Sequence, residues 1–151
     1  MERITATDPV GPARYGHEFR YRLAAGFIEP WSSVLDAACG TGYGAAFLSC
    51  DCDYLGIDNI PRSEVSRLDA YAPTGASVLY GQHDLEAPLT FDVTFDVFLG
   101  FETIEHLQDY EHYVALARQA EQWILVSTPI VPTVGMSTPH VHDFKPSVLN
   151  D

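Results

Sequence analysis

Val34-Leu35-Asp36-Ala37-Ala38-Cys39-Gly40-Thr41-Gly42-Tyr43-Gly44 joins an apolar strand to three alternating glycines through an aspartate. Alternating glycines let a chain turn tightly at a strand end and let a ligand approach with no Cβ in its way. The Ala45-Ala46-Phe47-Leu48 that follows predicts a helix to about Ser49, with its N-terminus facing that ligand. Gly40-Thr41-Gly42-Tyr43-Gly44-Ala45 also satisfies the G-x-G-x-x-G/A pattern of dinucleotide-binding proteins, so the glycines alone do not choose a cofactor. Asp36 does. A carboxylate four residues before the first glycine repels a pyrophosphate and suits a ligand that carries an ammonium and a sulfonium.

An acidic residue, three residues and then Gly-x-Gly resembles the first motif of the class I S-adenosylmethionine-dependent methyltransferases. The resemblance implies that Asp36, Ala38, Gly40 and Gly42 line an S-adenosylmethionine site. It implies a second acid at the end of the next strand, which Tyr54-Leu55-Gly56-Ile57-Asp58 supplies, with the two oxygens of Asp58 on the ribose hydroxyls. It also implies a side chain against the adenine amino group after the third strand, where Gly81-Gln82-His83-Asp84-Leu85 offers Asp84. Asn59 and Ile60 would line the adenine edge or face, and Leu85 its other side. An aspartate at a strand end is also a common turn former or cap, so Asp58 and Asp84 carry weight through their order behind the glycine turn rather than singly.

The surrounding chain has the rhythm of an α/β protein. Residues 1 to 13 are rich in Pro, Gly, Thr and Asp and read as a loose leader, ahead of a single domain over 14 to 151. Tyr15 to Ile28 reads as a helix, with Phe19, Leu23 and Phe27 at spacings of four. Strands are expected at 34–37, 54–57, 77–80, 95–100 and 123–127, with helices at about 62–71 and 110–121 between them. Such alternation implies a parallel sheet, and the resemblance implies a doubly wound, Rossmann-like one in the order 3-2-1-4-5. Class I methyltransferases continue to seven strands, whereas this sequence accommodates five. The fifth strand is thus expected to leave an open edge through which two copies could associate.

Composition narrows the partners. The chain has 151 residues, 46% of them hydrophobic, enough for one domain with a real core. Its net charge of −13, with Lys145 the only lysine, disfavours nucleic acid as a substrate. No apolar run reaches the ~20 residues of a membrane helix, and Met1-Glu2-Arg3-Ile4-Thr5 lacks the apolar core of a secretory signal, so a cytoplasmic protein is expected. Cys39, Cys50 and Cys52 fall short of a structural zinc set and read as free thiols.

Two histidine-bearing segments bear on the methyl acceptor. Phe101-Glu102-Thr103-Ile104-Glu105-His106 follows strand four, at the sheet edge where open α/β folds place ligands. Either Glu105 and His106 cap a helix and shape the methionine pocket, or Glu102, Glu105 and His106, at i, i+3 and i+4, share a helix face around a divalent cation such as Mg²⁺ or Mn²⁺. The later Thr138-Pro139-His140-Val141-His142-Asp143-Phe144 offers His142 as a fourth ligand by its offset from Phe144. This arrangement is similar to metal-dependent small-RNA and quinone-biosynthesis O-methyltransferases, and a like histidine loop occurs in sugar methyltransferase-like proteins. His17-Glu18-Phe19-Arg20-Tyr21 is similar to a helix that lids the cofactor in the same sugar-directed group.

Methyl transfer from a sulfonium needs an aligned acceptor and, for oxygen, removal of a proton. His106, His140 and His142 are candidate bases, with Glu105 beside them. The expected function is transfer to an oxygen of a small molecule or sugar. A binding module that retains the fold without catalysis is the alternative, while Asp36 opposes a dinucleotide oxidoreductase.

Overall fold

The computed structural model describes residues 11–48, 51–65, 77–135 and 140–145. Five strands form one sheet: β1 (Ser33–Ala37), β2 (Asp53–Asp58), β3 (Val78–Gln82), β4 (Phe95–Phe101) and β5 (Ala120–Ser127). Every pairing is parallel, as the alternation predicts, and the order is the expected β3-β2-β1-β4-β5. Helix α1 (Pro12–Ala24) precedes β1, and α2 (Glu111–Ala117) connects β4 to β5. Pro12 opens α1 where a missing N–H costs nothing, and Arg14 and Glu18 pair along it at 2.8 Å. Among the described helices none is long and apolar enough to cross a membrane.

Alternation along the central strands builds two cores. Val34, Tyr54, Val97 and Leu99 pack with Tyr21, Ala24 and Ile28 on the α1 side. On the other side Leu35, Ala37, Ile57 and Phe98 pack with Tyr113 and Leu116 of α2. The near-continuous apolar runs of β1 and β4 are what a parallel sheet covered on both faces requires.

Several local expectations are corrected. The glycine turn leads into a short 3₁₀ helix, Tyr43–Phe47, rather than an α-helix to Ser49. Residue 49 and most of the expected helix at 62–71 lie outside the described residues, where only a 3₁₀ turn at Arg62–Glu64 is seen. The helix expected over 110–121 is seven residues long, because β5 begins at Ala120. In α1 the spaced aromatic and aliphatic stripe is not the buried one. Phe19 and Leu23 remain 55% and 56% exposed, while Tyr21, Ala24 and Ile28 face the core. Phe27 instead meets Trp123 of β5 edge-on, with ring centroids 5.2 Å apart.

Strand β5 presents Trp123, Ile124 and Val126 to solvent, so neither face of this edge strand is fully covered by the described residues. Between α1 and β5 lies an open apolar groove of about 260 Å³, lined by Leu23, Phe27, Phe101, Ile124 and Val126.

Candidate functional site

The carboxyl ends of β1 and β2 meet at the glycine turn. Ala38, Gly40 and Gly42 all adopt positive φ, at 69°, 58° and 78°. For Ala38 that conformation is strained, and it persists because the Ala38 and Cys39 N–H groups both donate to the Ile57 carbonyl, at 2.8 and 3.1 Å. A Cβ on Gly40 would meet nothing within 4 Å, so the turn opens onto free space at that residue. Asp58 ties the turn to β2: its Oδ2 accepts the Gly40 N–H at 2.8 Å and its Oδ1 accepts the Ile60 N–H at 3.3 Å. One of the two expected ribose acceptors, Oδ2, thus also holds the glycine turn in place.

Asp36 sits deeper than a ligand carboxylate was expected to. It is 1% exposed, and its Oδ2 accepts two phenolic hydroxyls, from Tyr21 at 2.8 Å and Tyr54 at 2.5 Å. Burial pushes its pKa up to about 6, against the pull of the Tyr54 and Tyr21 hydrogen bonds and with the Asp58 charge adding to the rise. Tyr21 arrives from α1, Tyr54 from β2. The third glycine of the motif explains how Tyr21 gets there, because a Cβ on Gly44 would lie 2.2 Å from the Tyr21 ring. Gly44 therefore makes room for a side chain rather than for the cofactor. Gly56 does the same for Cys39, whose Sγ would be 2.7 Å from its Cβ. Cys39 and Cys52 are buried thiols outside any disulfide, and Cys50 lies outside the described residues.

The other expected cofactor contacts divide. Asn59 is exposed just past β2, while Ile60 is buried against Val65. Asp84 is exposed and its Oδ1 accepts the Glu86 N–H at 3.1 Å, the behaviour of a turn former. Leu85 is buried in the α2-side core with Leu35 and Ile57.

At the end of β4 the four expected metal ligands do not converge. Residues Ile104–His106 form a single 3₁₀ turn, so the i, i+3, i+4 face of an α-helix is absent. Glu102, at φ 53°, turns toward α1 and β5: its Oε1 pairs with Arg20 at 2.9 Å and accepts the Ser127 hydroxyl at 2.8 Å. His142 lies among Tyr110 and Phe144, with ring centroids 5.3 and 5.9 Å away. The structure instead brings together Glu105, His106 and His140, whose candidate donor atoms all lie within 4.8 Å of one another. Burial pushes the Glu105 carboxyl up to about 7, and the nearby Glu102 charge contributes to the rise. His17, close to Arg20 and Glu102, has its pKa lowered, first by burial and then by the Arg20 charge.

A family model described as a methyltransferase domain matches residues 35–120, which run from β1 to the start of β5. The chain belongs to this methyltransferase family. It is 30% identical over 122 residues to a protein of Mycobacterium tuberculosis named as a probable S-adenosylmethionine-dependent methyltransferase, found in two strains. That alignment covers 78% of this chain and 43% of the relative, so the chain spans less than half the length of the curated relatives it matches.

Among solved structures, the YcgJ protein of Bacillus subtilis superposes with a TM-score of 0.67 at 17% identity, over 89% of this chain and 65% of that one. The N-methyltransferase NodS of Bradyrhizobium japonicum, solved with S-adenosylhomocysteine, matches 76% of this chain and 56% of its own at TM-score 0.51 and 18% identity. The [4+2]-cyclase SpnF gives 0.64 at 13% identity, over 89% of this chain and 53% of its own. A fold shared by a methyltransferase and a cyclase does not by itself name a reaction.

Within this methyltransferase domain the sequence left several site residues unassigned. Tyr54 carries no motif, and parallel pairing with β1, not sequence, brings it to Asp36. Arg20 and Tyr21, which the sequence placed on a helix similar to one that lids the cofactor, lie outside the matched stretch, and the structure adds that they fasten α1 to the ends of β4 and β1. Had Gly44 been read as a packing glycine, the need for a ring above it would have been legible.

Proposed function

We propose that this domain binds S-adenosylmethionine at the carboxyl edge of the sheet and transfers its methyl group to an oxygen of a small molecule or sugar. The observation that carries the cofactor is the Asp58-braced turn of Ala38, Gly40 and Gly42, which opens beside Gly40 at the end of β1. A short turn held open by a carboxylate of the next strand offers hydrogen-bond acceptors to a ribose and close backbone approach to the methionine chain. Asn59, at the end of β2, is placed to reach the adenine side.

The sulfonium is already an activated leaving group. Aligning the acceptor with it is the protein's main task, and such orientation can supply ~7–11 kcal/mol of a barrier. The acceptor end of the site is Glu105, His106 and His140, after β4 and on the loop that follows β5. An imidazole there can take the hydroxyl proton near neutral pH. The oxygen acceptor is supported by this histidine pair and by the chain's acidity, which disfavours phosphate-rich polymers. The open edge of β5 is proposed as the surface through which two copies associate.

Calorimetric titration with S-adenosylmethionine, S-adenosylhomocysteine and NAD tests the cofactor. Binding of the first two and not the third is expected, and NAD binding alone would overturn the reading. Turnover against a panel of hydroxylated metabolites tests the reaction, and tight cofactor binding with no product on any of them would assign a binding module instead.

A further inference from the structure

Glu105 is the least accommodated polar group in the described structure. It is 1% exposed, and neither of its carboxylate oxygens makes a well-formed hydrogen bond, Thr128 being a marginal partner at most. An unpartnered buried carboxylate costs several kcal/mol unless something positive or a proton meets it. What meets it here is a pair of imidazoles. The His106 and His140 rings lie 4.5 Å apart at 68°, and one donor atom from each comes within 4.8 Å of the other and of a Glu105 oxygen.

The geometry around His140 is prepared further. Its Nδ1 lies 2.5 Å from the Thr133 hydroxyl, and that hydroxyl is 3.4 Å from Asp143 Oδ1, which also accepts the Thr133 N–H at 2.7 Å. With the hydroxyl donating to Asp143, it accepts from Nδ1–H, so His140 Nε2 is left unprotonated. That is the tautomer a metal ligand needs, fixed through the second ring nitrogen in the way outer-shell carboxylates fix ligating histidines. The loop is anchored to the same glutamate, since Val141 and His142 N–H groups donate to the Glu105 carbonyl at 2.8 and 3.3 Å. Main-chain pairing thus delivers His140 to Glu105, and it delivers His142 elsewhere, into the Tyr110 and Phe144 rings.

We infer that Glu105, His106 and His140 form a site for one divalent transition-metal ion of the zinc, manganese or cobalt kind, positioned through Thr133 and Asp143. Two imidazoles and one carboxylate favour such ions over Mg²⁺, which prefers all-oxygen ligation and keeps its waters. Three protein donors leave a coordination position open, as sites that act on a bound oxygen do. An ion there would acidify a hydroxyl bound to it, in place of proton removal by an imidazole, because both rings would then be ligands. That use rests on the methyl-transfer reading, whereas the binding of the ion does not.

The test uses the whole chain, stripped with a chelator and titrated with Zn²⁺ by competition against a chromogenic chelator, and with Co²⁺ by visible absorption. One equivalent should bind, with cobalt d–d bands, and excess Mg²⁺ should not displace it. His140→Ala and Glu105→Gln should each weaken binding more than about 10-fold, and Thr133→Val by about 10-fold, as loss of outer-shell support does. Glu102→Gln and His142→Ala should keep the parent's affinity. Circular dichroism checks the fold of each variant, and if His140→Ala unfolds, the cobalt spectrum of Thr133→Val decides. Affinity unchanged in His140→Ala and Thr133→Val, or lost in His142→Ala alone, would overturn the site. Tight metal binding without methyl transfer would overturn only the function proposed above, and methyl transfer in a chain that binds no metal would overturn only this inference.

Discussion

Replacing Asp36 by Asn keeps the shape of the buried acid and an oxygen to accept the Tyr21 and Tyr54 hydroxyls, but removes its charge. Burial holds the Asp36 pKa at about 6, against 3.8 for an ordinary aspartate. At 1.36 kcal/mol per pKa unit, that rise of roughly two units corresponds to about 3 kcal/mol. The direction follows from the proton count. Between pH 3.8 and about 6 the folded chain holds a proton on Asp36 that the unfolded chain has released, so stability falls as pH rises through that window. Integrating the two titrations, the parent should lose roughly 1.3 kcal/mol between pH 5 and pH 7 that Asp36→Asn does not lose. Urea denaturation of both proteins at the two pH values, without added cofactor, measures the difference directly. The variant should be the more stable at pH 7, by about 3 kcal/mol at most. A stability gap that is the same at pH 5 and pH 7, or a variant less stable than the parent at pH 7, would refute the view of Asp36 as a buried, penalised charge.

The remaining expectations concern the turn, its packing and the sheet edge. Asp58→Ala removes the carboxylate that braces Gly40 and is proposed to hold the ribose; a loss of about 1.5–3 kcal/mol in S-adenosylmethionine affinity is expected by calorimetry, and unchanged affinity in a folded variant would remove the ribose assignment. Gly44→Ala would place a Cβ 2.2 Å from the Tyr21 ring, so thermal denaturation should show a loss of roughly 1–3 kcal/mol, and a parental melting temperature would mean the ring moves away freely. If the open edge carries self-association, light scattering across a concentration series should show the parent forming a larger species than Val126→Lys, which places a charge on exposed β5. Identical profiles would count against that surface.

Much of the site was legible because its signals are local. A glycine repeat after a β1-like run dictates a turn with positive φ, and the turn appears at Gly40 and Gly42. Asp58 could be found because the resemblance to class I methyltransferases implies a second acid at the end of the next strand. Asp84 shows the limit of such reasoning: an aspartate after a strand is equally a turn former, and its Oδ1 accepts the Glu86 N–H as a turn former's does. The pairing of Glu102 with Glu105 failed for a different reason. Sequence spacing supposes an α-helix, but β4 ends in a strained residue and a single 3₁₀ turn, which send the two carboxylates in different directions.

By itself, then, the sequence determined the parallel sheet, the glycine turn and the acids after successive strands, because alternation and glycine placement act over a few residues. Only the tertiary structure decided which face of α1 is buried, that Asp36 is shared by tyrosines from two elements, and that His140 rather than His142 meets Glu105. Each of these depends on contacts between residues far apart in the chain, where main-chain pairing and burial set the partner and sequence spacing carries no information about it.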